Sequence, residues 1–265
     1  MSVEIHPTAQ IEKGVQLGEG VRIGPFTYIQ SGAEIGDNCQ IGSSVWISEF
    51  VRMGDNNKIA HAAALGGDPQ DLKFEGEKTV LRIGDNNDIR EYVTMNRGTN
   101  ASGQSVVGSN NMLMAYCHVA HDCVVGDNIV FANSTNIAGH VLVEDWVIVG
   151  GLVPVHQFCR LGAHAMIGAG ARVVQDVPPY ALLGVDPTGI SGINSIGLNR
   201  RGFSKERIAA IKKAYRYLFF STKLQEEAFK LLKQEFPAIP EIEKLVEFVK
   251  SSSRGIVKTR NKKTA

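Results

Sequence analysis

Apolar residues recur in this chain at every sixth position. The first run is Ile5, Ile11, Leu17, Ile23, Ile29, Ile35, Ile41, Ile47, Met53, Ile59 and Leu65. A second runs from Val107 through Leu113, Val119, Val125, Phe131, Ile137, Val143, Val149, Val155, Leu161 and Ile167 to Val173, and Ile83, Ile89 and Met95 keep the phase between them. The next residue is often glycine, as at Gly18, Gly36, Gly54, Gly108 and Gly162, and the fourth is mostly small or β-branched, as at Val21, Cys39, Val45, Cys117 and Cys123. Neither a helix period of 3.6 nor a strand period of 2 yields period six over so many units. A parallel β-helix does: each hexad makes one short strand and one corner, with the apolar residue inside and glycine easing the tight backbone.

The repeat resembles that of the hexapeptide-repeat acyltransferases. That resemblance implies a left-handed parallel β-helix with three hexads per coil, a hand opposite to the usual crossover. The expected architecture is mainly β, with the β-helix over 1–188 and a small α-helical C-terminal domain over 189–265. The repeat fails at 66–82 and 97–106, both rich in Gly, Ser and Asp, which predicts loops leaving the helix there. Helical periodicity covers 204–220, 223–235 and 240–252, with Ser204 as an N-cap and Pro240 in a first turn. The final SRGIVKTRNKKTA reads as a frayed basic tail.

The net charge of +1 hides an asymmetry: residues 1–188 carry 11 Lys/Arg against 20 Asp/Glu, and residues 189–265 carry 17 against 7. An acidic body with a basic tail predicts an acidic partner for the tail. No recognised nucleic-acid motif accompanies the basic charge, so nucleic acid is not the expected partner. The N-terminus has no basic start followed by an apolar run, and no window approaches 18 unbroken apolar residues. With four cysteines and no secretory signal, the expectation is a soluble cytoplasmic protein with free thiols and no membrane insertion.

The stretch CHVAHDC at 117–123 gathers candidate chemistry. The phase turns Val119 and Cys123 inward, and Cys39, Cys117 and Cys159 share the register of Cys123, so all four cysteines read as core. His118, His121 and Asp122 are expected to face outward. Residues 18 apart stack at about the 4.8 Å strand spacing, so His121 lies under Gly139 with Gln157 one coil further, and Asp122 under His140. A histidine beside a glycine N–H offers a general base and an oxyanion donor, the constellation of acyl transfer. A zinc site on His118, His121 and His140 is the competing reading, as in a zinc hydratase of the same fold. A non-catalytic scaffold is a third.

The segments DPQDLKFEGE (68–77), IREYVTMNRGT (89–99), HVAHDC, AGHV (138–141), VHQFC (155–159), QDVPPY (175–180) and GLNRRGFS (197–204) make the chain similar to the UDP-N-acetylglucosamine O-acyltransferases of lipid A synthesis over nearly its whole length. The resemblance implies transfer of an (R)-3-hydroxyacyl group from the phosphopantetheine of acyl carrier protein to the 3-hydroxyl of UDP-N-acetylglucosamine, without cofactor or metal, in a homotrimer with sites between subunits. It implies His121 as the base, Asp122 as its orienting partner and Gly139 N–H as the oxyanion donor. Asp71, Lys73, His118, His140, His156 and Gln157 would line the cleft, and Asn194, Arg200 and Arg201 would contact nucleotide or donor. The acidic carrier protein would be steered by the basic C-terminal domain. Three positions depart from the family pattern. Asn96 replaces a common histidine and Ile196 a common glutamate, which leaves the 3-amino analogue of the sugar open as acceptor. Ala169 replaces a common glycine at the end of the acyl groove, which predicts a shorter preferred chain. The related N-acyltransferase typically carries an extra N-terminal domain, whereas the repeats here begin at Ile5.

Overall fold

The computed structural model describes residues 2–260. Residues up to Leu183 wind into a left-handed β-helix of triangular section, whose three faces are parallel sheets of 10, 8 and 8 short strands among the described residues, the first extended by one antiparallel strand beyond it. The first face starts with Glu4–Ile5, the second with Gln10–Ile11 and the third with Gln16–Leu17. Register advances by 18 residues per coil, as in Glu4↔Arg22 and His118↔Asn136. It stretches only where loops are inserted, as in Lys58↔Asp88 and Asp88↔Met112.

The hexad follows from three local demands. The periodic apolar residue fills the interior: Ile29, Ile47, Leu65, Ile89, Leu113, Phe131 and Ile137 are fully buried. Where a glycine follows it, the coils stack too closely for a side chain; a Cβ on Gly24 would lie 2.7 Å from the Gly42 carbonyl carbon. The chain then turns at the third residue after the apolar one, which takes a left-handed backbone. Its φ is 56° at Asn38, 58° at Asp122, 61° at His140 and 64° at Phe158. Sequence periodicity assigned the tight turn to the glycine after the apolar residue; the backbone strain sits two residues later, largely on non-glycine residues.

All four cysteines are buried free thiols. Burial pushes Cys117 and Cys159 up to about 11 and Cys123 up to about 12, so they are inert filling, as the phase predicts. One corner carries a buried asparagine ladder. Asn57 Oδ1 accepts from Asn87 Nδ2 at 3.0 Å and Asn87 Oδ1 accepts from the Asn111 N–H at 2.9 Å.

The inserted loops are narrower than the failed repeats suggest. Strands Ala64–Gly67 and Val80–Ile83 leave 68–79 as loop, and Thr94–Asn96 and Gln104–Val107 leave 97–103. The loop bases belong to the sheet because Val80 pairs with Gln104 and Ile83 with Val107. Both loops leave the corner between the second and third faces.

A hairpin, Ala181–Gly184 with Gly189–Ile193, ends the first face antiparallel, so the expected boundary at 188 falls inside its turn. Helices α1 (Ser195–Arg200), α2 (Lys205–Phe219), α3 (Gln225–Glu235) and α4 (Pro240–Lys250) follow. Ser204 caps α2 through the Arg207 N–H and Pro240 opens α4, while α1, capped by Asn194, has no counterpart in the sequence reading. Tyr215 of α2 is buried and donates to the Pro179 carbonyl. Arg160 of the β-helix stacks on Phe248 of α4 at 4.1 Å.

The tail expected to fray is instead docked as far as Arg260. Ser252 Oγ donates to Asp176 Oδ2 at 2.7 Å, the Val257 N–H to Asp176 O at 3.0 Å and the Arg260 N–H to Ile190 O at 3.0 Å. Asp176 is fully buried, so these bonds satisfy groups that have no water. Residues 261–265 of that tail lie outside the described residues.

Replacing Asn87 with leucine tests the ladder. The substitution adds apolar surface but leaves the buried Asn111 N–H without its acceptor, so a loss of about 1–3 kcal/mol is expected in urea unfolding. Unchanged stability would mean the ladder is replaceable packing.

Candidate active site

The corner between the second and third faces collects both inserted loops and, directly above them along the axis, the turns at 120–123, 138–141 and 156–159. Arg97 ties the loops together. Its guanidinium is buried between the rings of Phe50 and Phe74, 4.1 and 4.7 Å from their centroids. It donates to Asp68 Oδ1 at 3.0 Å from Nε and 2.9 Å from Nη2, to Thr79 Oγ1 at 2.9 Å, and to the Glu77 carbonyl. A buried cation is tolerated only with this many partners.

That clip holds the 97–103 loop over Asp122. Oδ1 accepts from the Thr99 N–H at 2.9 Å and from Ser102 Oγ; Oδ2 accepts from Thr99 Oγ1 at 2.8 Å and from His121 Nδ1 at 2.7 Å. Asp122 is 5 % exposed, which corrects the expectation that it faces outward: its backbone turns outward, but the loop folds over it. Burial pushes its carboxyl up, yet the bonds from Ser102, His121 and Thr99 outweigh this and hold it at about 2. The carboxylate is therefore ionised and its lone pairs are filled.

His121 is ordered by that carboxylate. With Nδ1–H donating to Asp122, the imidazole's lone pair is on Nε2. The ring lies against Gly139: a Cβ there would come within 2.5 Å of Cε1 and 2.7 Å of Nε2. No side chain fits at 139. The Gly139 N–H has no hydrogen-bond partner among the described residues. His140 packs edge-on to His121 at 5.1 Å and stacks on Phe158 at 4.5 Å. Its Nε2 stands 3.7 Å from Asp122 Oδ2, beyond hydrogen-bonding distance.

The remaining candidates divide among three corners. Asp71 and Lys73 sit in the 68–79 loop, where Asp71 Oδ1 accepts from the Lys73 N–H at 3.0 Å. Asn96 is buried at the loop base and donates to Asp68 O at 2.9 Å, which leaves its Oδ1 as a buried acceptor without a partner. His118 contacts Thr94 Oγ1 at 2.7 Å on the second face, and burial followed by His121 pulls its pKa down. His156 and Gln157 are exposed at the loop-bearing corner. Asn194, Arg200 and Arg201 are elsewhere, at the corner between the third and first faces. There Asn194 donates to His164 O at 3.0 Å, and Arg201 contacts His164 Nδ1 at 3.2 Å beside Trp146. Ala169 is exposed at the remaining corner. Arg97, Thr99 and Ser102 were not anticipated; only their place in a loop next to the histidine corner hinted at them.

The chain is 50 % identical over 256 residues to the acyl-[acyl-carrier-protein]–UDP-N-acetylglucosamine O-acyltransferase of Stenotrophomonas maltophilia, covering 96 % of this chain and 97 % of that one. It belongs to the UDP-N-acetylglucosamine O-acyltransferase family. The Aliarcobacter butzleri relative of the same name is 52 % identical over 254 residues, covering 95 % of this chain and 97 % of that one. Residues 176–257 match the model for domain 2 of UDP-N-acetylglucosamine O-acyltransferase, and 14–49 and 104–139 match the bacterial transferase hexapeptide model. The crystal structure of the Bacteroides fragilis UDP-N-acetylglucosamine acyltransferase superposes with a TM-score of 0.94 at 46 % identity, covering 96 % of this chain and 99 % of that one.

In this acyltransferase-family site the Asp122 carboxylate carries a pH signature. Its folded value of about 2 lies below the ordinary aspartate value of 3.8. Its stabilisation is thus complete above about pH 4 and is lost as pH falls through about 2. Asp122→Asn should be less stable than wild type by about 2 kcal/mol at pH 7, with the gap closing between about pH 4 and 2. Urea unfolding of both proteins across pH reads this, and a pH-independent gap would contradict the assignment.

Proposed function

We propose that the loop-bearing corner transfers an (R)-3-hydroxyacyl group from acyl carrier protein to the 3-hydroxyl of UDP-N-acetylglucosamine, the first step of lipid A biosynthesis. The observation that carries the reading is His121, its Nδ1 bound to Asp122 at 2.7 Å and its Nε2 unbonded against Gly139. Nε2 removes the hydroxyl proton as the oxygen attacks the thioester carbonyl. The Gly139 N–H donates to the oxyanion of the tetrahedral intermediate. The intermediate collapses, the carbon–sulfur bond breaks, and the imidazolium returns the proton to the departing thiolate of the carrier. Asp122, ionised throughout, stabilises the imidazolium and fixes its tautomer.

The reading needs no cofactor or metal. His121, Asp122 and His140 are close enough for one ion, with ligand atoms within 4.8 Å of one another. However, Asp122 already accepts four bonds and His121 Nδ1 is committed to it, so a metal would have to displace the bonds that hold the loop. That weighs against the zinc hydratase. The position of Asn194, Arg200, Arg201 and Ala169 on other corners of the same subunit supports a homotrimer, in which a neighbour supplies them to the cleft. The basic helical domain suits an acidic carrier protein. No helix among the described residues is long and apolar enough to cross a membrane, which fits a cytoplasmic enzyme.

Acyl transfer assayed with 3-hydroxyacyl carrier proteins of several lengths, on UDP-N-acetylglucosamine and on its 3-amino analogue, tests this directly. His121→Ala should lower kcat by about 100- to 10,000-fold with the fold retained; undiminished transfer would end the general-base reading. The same assay decides the acceptor atom. In the chain-length series, Ala169→Gly should shift preference toward longer donors, and an unaltered profile would remove Ala169 from the acyl groove.

A further inference from the structure

The docked C-terminal strap brings Arg254 to the loop-bearing corner. Its Nη2 lies 3.2 Å from His156 Nδ1 and donates to the Val174 carbonyl at 3.2 Å. The same His156 Nδ1 also stands 3.2 Å from the Gln157 carbonyl oxygen. These two partners make opposite demands. A guanidinium only donates and does not lose its proton, so it needs a lone pair on Nδ1; a carbonyl oxygen only accepts, so it needs a proton there. One nitrogen cannot meet both. The charged donor makes the stronger bond. Nδ1 is then the acceptor, and the proton of the neutral ring sits on Nε2.

We propose that Arg254 is a positioning residue: by donating to His156 Nδ1 it fixes His156 as an Nε2–H donor, presented to an oxygen of the bound substrate. This rests on reading the corner as the acyl-transfer site. His156 is exposed while Arg254 is half-buried, so Nε2 is the nitrogen left for a ligand. His156 precedes Gln157, which stands two coils, about 10 Å, from His121. At that distance it does not touch the reacting carbon. It suits an amide or phosphate oxygen of an elongated substrate lying along the cleft. The strap does not depend on this contact, since Ser252 Oγ and the Val257 N–H bind Asp176 independently. Among the described residues Arg254 Nε is buried with no hydrogen-bond partner, beside the Cys159 thiol, a cost that an apolar tether would avoid.

Without the guanidinium, the Gln157 carbonyl is the remaining partner of Nδ1 and the tautomer should reverse. The test uses full-length protein labelled with 15N-histidine, in which His156→Gln identifies the His156 resonances among those of the seven histidines. Wild type should show Nδ1 unprotonated and Nε2 protonated. Arg254→Met, which keeps the stem but removes every donor, should invert this and raise the KM for one substrate about tenfold, the worth of one hydrogen bond, with kcat little changed. Arg254→Lys, which keeps a charged donor, should restore most of both effects. Ser252→Ala loosens the strap without touching His156 and should leave the tautomer alone. The proposal is overturned if wild-type His156 already carries its proton on Nδ1, if Arg254→Met alters neither tautomer nor KM, or if Ser252→Ala reproduces its effects. Loss of the general-base reading would appear separately, as transfer that persists in His121→Ala, and the tautomer comparison would still decide the role of Arg254.

Discussion

A side of six residues leaves the chain one way to turn, and the rest of the molecule follows from it. The interior takes one apolar residue per side, glycine follows it wherever the coils stack too closely for a side chain, and the third residue after it takes a left-handed backbone. Because register repeats every 18 residues, side chains at equivalent corner positions form columns about 4.8 Å apart. Asp122, His140 and Phe158 are one such column, all with positive φ. His121 and Gly139 are the column beside it. The proposed general base, His121, is therefore placed by the solenoid itself rather than by a flexible loop, and the glycine above it is required by the width of an imidazole ring.

The solenoid alone would leave His121 without its counter-charge. A carboxylate at the Asp122 corner would face water unless something covered it, and a covered carboxylate needs donors. The 97–103 loop supplies both cover and donors, and Arg97, held between the rings of Phe50 and Phe74, keeps it in place by bonding Asp68 and Glu77 of the 68–79 loop. Arg97 touches neither Asp122 nor His121. The tautomer of the base nonetheless depends on it, through Thr99 and Ser102. Electrostatic preorganisation is thus built by loop packing on a rigid corner.

What the sequence disclosed and what it hid divide along the same line. Periodicity revealed the coil, the inward cysteines and the stacking of His121 on Gly139, because each is a consequence of register. The caps of α2 and α4 were legible because Ser204 and Pro240 act on their immediate neighbours. The burial of Asp122 was not, since the atoms that bury it are some 20 residues away in a segment without a repeat. Nor was the docking of the tail: Asp176, its anchor, sits in the Pro-rich segment QDVPPY, and its partner Ser252 is 76 residues distant. Non-glycine residues at left-handed corners were also missed, because the conspicuous glycines two positions earlier answer to crowding between coils.

The histidines show how far such non-local partners reach into chemistry. His121, His156 and His164 all use Nδ1 toward the protein, yet their partners differ in kind. Asp122 accepts, so His121 keeps a proton on Nδ1 and offers a lone pair outward. Arg201 donates at 3.2 Å, so His164 accepts; its pKa is pushed down to about 4 by burial and by Arg201 and Lys244, against Asp145, and the ring is neutral at physiological pH. Arg254 imposes the same demand on His156. A carboxylate behind the ring makes a base of it and a guanidinium makes a donor of it. Asp122 follows His121 directly in the chain, so the proposed base can be read from the sequence. Arg201 and Arg254 lie 37 and 98 residues from the rings they set, so the identity of those rings as donors exists only once the chain has folded.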